Sequence, residues 1–471
     1  MPIQPVQFAS HSYVDRSLPV STQQLVNMYL AAKPSGAKSQ TVLYGTPGLK
    51  SWLSLNSDPI RGIHRIDSAY LAVLSGTDLY RIDQAKNATR VGAIAGNDVV
   101  KMVSTGTYCF ILTDQALHWV SATDWGQINT FTSGSAMPAL NGIAYLDGYV
   151  IISQADSRNF YVSSLVDPRN FDSTQFGVKI AFPDDIVTLG TANRSLWVFG
   201  ERSAEIFYKS GAAIFPLTRM PSGVINVGCL SPRSVASLRG VVFWLGDDFR
   251  VYRSEGLSPQ VISTSNIENR IEGLASPQTA DAFVYEQYGH TFYVLNFRET
   301  TFVFDLTTGL WHERASYGLT SGRTGWRARG YEYWRQQRIV GDAETGELYE
   351  LDLDTFTDNG TTIQRTMVAP PLHSATRRIT MARFTLDMET GVGLTTGQGD
   401  DPQVMLDWSD DGGHTFGAEL WRSAGKIGAY KHRVYWDRLG QFDDRVLRVR
   451  ISDPVKITAI EAYADLEGGE P

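Results

Sequence analysis

The residues best placed by type to do chemistry are paired carboxylates. Acidic doublets stand at Asp184-Asp185, Asp247-Asp248, Asp400-Asp401, Asp410-Asp411 and Asp443-Asp444. Glycoside hydrolysis needs two carboxyl groups facing one bond. Adjacent residues on a strand point to opposite faces, however, and each doublet lies by Gly or Pro in a turn, where Asp bonds its own backbone. The turn reading is therefore the stronger. Asp352-x-Asp354-x-Phe356-x-Asp358 has the spacing of a calcium loop, but Phe356 occupies a position that needs an oxygen ligand. The eight histidines show no paired ligand spacing. Gly36-Ala-Lys38-Ser39 lacks the order of a phosphate loop, and no G-x-S-x-G elbow occurs. No catalytic residue, metal ligand or cofactor-binding residue is assigned, and the expectation is a non-enzyme without cofactor.

Two further constellations stand out. Ser409-x-Asp411-x-Gly413-x-Thr415-Phe416 resembles the Asp-box, a hairpin turn of sialidases and other β-propellers. In those proteins the box is a structural turn, and a single copy with no arginine triad gives little support to sialidase chemistry. The second constellation is an island of arginine and aromatic residues. Arg314, Arg323, Arg327, Arg329, Arg335 and Arg338 alternate with Trp326, Tyr331, Tyr333 and Trp334. Arginine with aromatics is the composition of a binding hot spot or a nucleic-acid stacking surface. We take Arg323, Trp326, Arg327, Arg329, Trp334 and Arg335 as a candidate protein interface. An inter-blade loop with its arginines in water is the plainer alternative.

The elements that must position these residues are strands. The chain has 471 residues, with 21 Tyr, 21 Phe, 11 Trp and 43 Gly, a balance that favours strands and tight turns. From about residue 60 to 353 one unit recurs, an apolar strand, a polar turn and a strand bearing an aromatic. The aromatic markers are Tyr80, Trp119, Tyr161, Tyr208, Tyr252, Phe304 and Tyr349, spaced 39 to 52 residues apart. Such a period is the signature of propeller blades, which stack to bury faces that none can bury alone. The expected fold is all-β, with a propeller of six or seven blades over 56–360; a large sandwich is the alternative. Ser265-x-x-Glu268 reads as a capping box opening a helix over Thr264–Glu272, with Ile267 and Ile271 on one face. Residues 1–55 read as an extended segment. Ser21-x-x-Gln24 there fits a capping box with Leu25, Met28 and Tyr29 on one helical face, and a strand through Leu25 to Leu30 fits equally. Period-2 runs at Leu406/Trp408, Val434/Trp436 and Leu447/Val449/Ile451 predict a separate antiparallel β-sandwich over 361–467. Residues 468–471 are expected to be a disordered tail, and Glu467 reads with them.

The net charge of −8 argues against a general nucleic-acid binder, which is usually basic. It would suit a conduit in which DNA slides without sticking. Cys109 and Cys229 sit in apolar runs without metal or disulfide spacing, which suggests folding in a reducing compartment. The first residues have no signal-peptide pattern, and no run of 18 apolar residues predicts a membrane span.

Several motifs in order resemble one family. They are Val26-Asn-Met-Tyr29, Thr46-Pro-Gly-Leu49, Ser263-Thr-Ser-Asn-Ile-Glu-Asn-Arg-Ile271, Lys431-x-Arg433-Val434-x-Trp436-x-Arg438-x-Gly440, and Leu447-Arg-Val449 with Asp453-Pro-Val455. Together they resemble the packaged-DNA stabilisation protein, or tail hub, of short-tailed bacteriophages. The resemblance implies a structural virion protein made and folded in the host cytoplasm. It implies a homohexameric ring (a tail nozzle) below the portal and its adaptor, which closes the channel, retains packaged DNA until ejection and carries tailspikes or fibres and a needle or plug. DNA would pass without sequence-specific binding, and no membrane insertion is implied. A carbohydrate-binding or sialidase-like propeller acting on host-surface glycans is the alternative that the Asp-box leaves open.

Overall fold

Short apolar strands that alternate with Gly-rich turns pair first with their sequence neighbours, because a tight hairpin closes the smallest loop. In the computed structural model this local pairing repeats around a closed ring. The structure describes all residues except 1–2, 7, 9, 115, 213–214, 319–321, 375–376 and 469–471. Seven antiparallel four-stranded blades occur among the described residues. Six are contiguous, at 60–93, 101–128, 140–178, 186–225, 236–261 and 281–318. The seventh takes Ala328–Trp334, Gln337–Asp342 and Glu347–Asp352, and completes itself with Gly48–Ser54 from the N-terminal region. The first strand of each blade touches that of the next, and the seventh returns to the first. Of the two blade counts expected, seven is the one found.

The aromatic markers all lie on the third strand of their blades, and the apolar runs preceding them form the second strands. These strands are buried on both faces: Leu71–Ser75, Ser195–Gly200 and Thr301–Asp305 are buried throughout. Separate apolar clusters fill the gaps between blades, such as Phe110, Leu117, Ile143 and Ile152 between the second and third.

The helix Ser265–Glu272 bridges the fifth and sixth blades, with Ile267 and Ile271 buried. Its expected capping box is not formed. Thr264 is the N-cap and makes no side-chain cap bond. The Glu268 carboxylate accepts instead from Ser263 Oγ at 2.8 Å.

The second region is a sandwich of two sheets. One runs Met28–Ala32, Thr41–Gly45, Thr458–Gly468, Ile379–Met388, Val434–Asp437, with Ile3–Val6 also on the last long strand. The other runs Thr22–Val26, Arg365–Val368, Asp444–Ile451, Gln403–Ser409, Leu420–Ser423. Met28, Phe384, Leu406, Trp436, Val449 and Ile451 fill the space between them. The period-2 runs thus face the core, while Trp408 is half-buried at its margin.

Residues 1–55 differ from the extended segment expected. They form strands distributed between both regions, and the stretch that fitted a helix or one strand over Leu25–Leu30 is two strands, Thr22–Val26 and Met28–Ala32, parted at Asn27. Glu467 and Gly468 pair with Thr380 and Ile379, so the last strand runs two residues into the expected tail. The rest of that tail, 469–471, lies outside the described residues. The sandwich sheet also continues into the propeller, because Val26 pairs in parallel with Glu313 on the outer strand of the sixth blade.

Candidate assembly surfaces

The arginine–aromatic island is placed by the sixth and seventh blades, and its centre, Arg314, Trp326 and Trp334, is internal. Arg314 is 1 % exposed. Its guanidinium lies 4.5 Å from the Trp326 ring and 5.2 Å from Tyr285, whose hydroxyl it meets. Arg327 Nε donates to Asp342 at 3.1 Å, and the Tyr349 hydroxyl donates to the same carboxylate. Arg323 pairs with Glu313, and Arg329 stands 3.9 Å from Asp281. Trp326 and Trp334 are buried. Arg335 is exposed and reaches the Gln84 carbonyl at 3.0 Å; Arg338 donates to the Glu286 carbonyl. The expectation of an exposed interface is therefore corrected for Trp326 and Trp334, which bind the propeller together from within. Carboxylates on neighbouring strands give the arginines partners, so they can be drawn inward.

The Asp-box closes on itself. Ser409 Oγ accepts from the Gly413 amide at 2.8 Å. Asp411 Oδ1 accepts from the His414 and Thr415 amides at 3.0 and 2.9 Å. These bonds, those from the Ser409 and Thr415 hydroxyls first, hold the Asp411 carboxyl far below the usual carboxylate range. Phe416 sits 3.7 Å beneath the Arg448 guanidinium. The other doublets are also spent on turns and ion pairs: Asp410 holds buried Arg445 at 2.7 Å, Asp184 meets Lys179, and Asp248 accepts from Tyr252 at 2.7 Å. Among the described residues no group of His, Cys, Asp and Glu could hold a metal ion.

Two of the motifs that carry the family resemblance meet at the joint between propeller and sandwich. Asn27, in a left-handed conformation at φ 56°, donates from Nδ2 to the carbonyls of Ala315 and Gln364 at 3.0 and 2.9 Å. Its Oδ1 accepts from the Ala315 amide at 3.0 Å, and its own carbonyl accepts from the Thr46 amide at 3.0 Å. One side chain thus bonds the sixth blade and the start of the sandwich. Beside it Glu313, fully buried, takes both ends of Arg270 at 2.8 and 2.9 Å, together with Arg323 and Gln24. Burial alone would raise its pKa. The bonds and charge of Arg270, with Arg323 and Gln24, outweigh burial and bring it to about 2. Asp358 lies nearby with little compensation. Burial pushes it up to about 7, despite Arg327, Arg365 and Ser316. Burial likewise lowers fully buried Arg365 to about 10.

Residues from five blades line a central cavity of about 180 Å³, among them Arg61, Lys101, Arg233, Asp281 and Tyr331. Lys101 spans from the second blade to the fourth, donating to Thr188 Oγ1 at 2.9 Å and to the Leu189 carbonyl. Without a carboxylate acceptor among these bonds, its amine is lowered by burial to about 8.

Two exposed surfaces were not singled out from sequence. One is a rim on the third blade and the loop after it, with Leu165, Val166, Phe176 and Ile180 outward. The other is the edge of the sandwich, with Trp421, Ile427, Tyr430 and Tyr435 outward. The Lys431-to-Gly440 motif runs through that second surface, and its alternation offered a signal. Val434 and Trp436 are buried, which leaves Lys431, Arg433 and Tyr435 facing out.

Among the described residues no helix is long and apolar enough to cross a membrane. Solved structures similar to this chain are distant propellers. They include virginiamycin B lyase from Staphylococcus aureus (9% identity, 63% of this chain and 97% of that chain, TM-score 0.42). BamB from Moraxella catarrhalis is another (10% identity, 70% and 98%, TM-score 0.40), as is the Neurospora crassa Pan2 WD40 domain (9%, 62% and 88%, 0.38). No curated protein matches the chain. Family models do match almost all of it, the β-propeller of bacteriophage P22 Gp10 over residues 6–356 and the β-sandwich of the same protein over 364–467. With propeller, sandwich and their order all accounted for, the chain belongs to the P22 Gp10 family of structural phage stabilisation proteins, the tail hubs of short-tailed phages.

Proposed function

We propose that this chain forms the tail nozzle of a short-tailed virion. Copies assemble as a ring, expected to be a hexamer, below the portal and its adaptor. The ring retains packaged DNA, gives purchase to tailspikes or fibres, and seats the needle or plug. The observation that carries this reading is the joint at Asn27 and Glu313, where a propeller blade and a sandwich sheet continue into one another through a single strand. A part that must hold pressurised DNA gains from two domains that cannot hinge, and a shared ladder with buried ion pairs resists hinging. The third-blade rim offers apolar area for a neighbouring copy or the adaptor.

The central cavity bears on where DNA would run. At about 180 Å³, and crossed by Lys101, it has no room for a nucleic-acid strand. The conduit therefore lies between copies, walled by the outsides of the propellers. The test is electron microscopy of virions with and without the chain. A ring below the portal, together with heads that lose their DNA when the chain is missing, supports the reading. Tails without a ring containing this chain, or heads that stay full in its absence, sink it.

A further inference from the structure

The sandwich ends on one side in the two edge strands Leu420–Ser423 and Val434–Asp437, one from each sheet. The stretch 420–438 between and along them carries five cations, Arg422, Lys426, Lys431, Arg433 and Arg438, against one carboxylate, Asp437. Asp437 is engaged by Arg383. Among the described residues none of the five cations makes an ion pair, although Arg422 caps the Trp421 carbonyl at 2.8 Å. The same edge holds out Tyr430 at 74 %, Ile427 at 57 % and Trp421 at 54 % exposure.

A protein that merely guards its sheet edges places charge there and keeps large apolar groups away. This edge does the first and not the second. Trp and Tyr among unpaired Arg and Lys, on an otherwise acidic chain, match the composition of a binding hot spot whose partner supplies the opposite charge. Burying the aromatics would strip water from the cations around them, and only a carboxylate-rich surface would then leave them satisfied. A long nucleic acid fits less well, because phosphates beyond the patch would meet the negative remainder of the chain.

We infer that this edge is a docking site for an acidic segment of a partner protein, seated on Trp421 and Tyr430 and ringed by Lys426, Lys431 and Arg433. The inference does not depend on the ring proposed above, because it concerns a surface of the isolated chain.

The test uses the purified full-length chain, with poly-L-glutamate and an oligothymidylate of equal charge as probes. The parent chain is expected to bind poly-L-glutamate, more weakly as salt rises. The variant Lys426→Glu/Lys431→Glu/Arg433→Glu should bind at least tenfold more weakly with its melting midpoint unchanged. Trp421→Ala/Tyr430→Ala should lose at least threefold. An unchanged affinity in the charge variant overturns the site. An unaffected aromatic variant reduces it to a charged edge, and stronger binding of oligothymidylate assigns it to nucleic acid; either result overturns the proposal. Should the triple variant melt early, Arg433→Glu alone serves, with a threefold loss expected and no loss counting against the site.

Discussion

Two stretches of this chain have nearly the same ingredients and opposite fates. Residues 314–338 combine six arginines with two Trp and three Tyr, and 420–438 combine five cations with Trp421, Tyr430 and Tyr435. The first is folded inward: Trp326 and Trp334 are buried, and Arg323 and Arg327 each find a buried carboxylate. In the second, Trp421 and Tyr430 stand exposed, and among the described residues none of its five cations makes an ion pair. The difference lies not in the cations but in what the fold brings opposite them. Glu313, Asp342 and Asp281 come from neighbouring strands, whereas the outer side of the sandwich edge meets no further strand among the described residues. An arginine–aromatic run thus becomes internal bracing or an exposed surface according to where the carboxylates fall.

The sharpest break of this comparison is a pair of matched truncations. Trp326→Ala should cost about 4 kcal/mol, the usual loss for a buried large aromatic, whereas Trp421→Ala should cost less than about 1 kcal/mol. Urea-unfolding midpoints of the two variants measure the contrast, and similar losses would erase it.

Next in size is Glu313→Gln, which leaves Arg270 and Arg323 facing a neutral amide and should cost about 3 kcal/mol at pH 7. The folded-state pKa of about 2 lies below the ordinary value of 4.5. Its contribution is thus present above about pH 4.5 and is lost as pH falls through 2. The parent and variant stability curves should therefore converge on acidification from pH 5 towards pH 2, which thermal melts across that range would follow.

Asp358 runs the other way. Its folded pKa of about 7 lies above the ordinary 3.8, so the folded state holds a proton that the unfolded state has released. Stability falls as pH rises from 3.8 to 7 and then levels. Asp358→Asn should gain about 1–2 kcal/mol at pH 8 and almost nothing at pH 4. A variant no more stable than the parent at pH 8 would show that Arg327 and Arg365 compensate the charge.

The smallest effect belongs to the exposed edge. Lys431→Glu and Arg433→Glu should each shift stability by no more than about 0.5 kcal/mol. A larger loss by chemical denaturation would mean that this edge braces the fold after all.

The same contrast explains what could be read from sequence. The second and third strands of the blades were legible, because the second strands are largely buried on both faces and each third strand carries an aromatic. The first strands were not. They line the axis, where polar side chains and close approaches interrupt the apolar pattern; a Cβ on Gly142 would fall 2.4 Å from Ser153 Oγ and 2.9 Å from the Leu189 amide. The fourth strands were hidden by exposure, as in Ala88–Ala93, whose first three residues face solvent. The Asp-box was legible because its bonds are local. The burial of Trp326 was not, because a run of residues does not reveal Phe283 packing against it at a tilt from another strand. Nor does any local pattern join residues 3–6 to 462–465.

That last pairing sets an order of events for synthesis. Gly48–Ser54 waits for Glu347–Asp352, and Ile3–Val6 waits for the final strand. At roughly 5–20 residues per second, these strands leave the ribosome about a quarter of a minute to a minute and a half before their partners exist. During that time their edges are open to other chains. The propeller ring can close once Glu347–Asp352 has been made, but the sandwich waits for Asp444–Ile451 and Thr458–Gly468, so a chain cut short before them can complete the ring and not the sandwich. Ribosomes that stop early would release open-edged fragments fit for degradation, and the subunits that enter assembly would be those finished to the last strand.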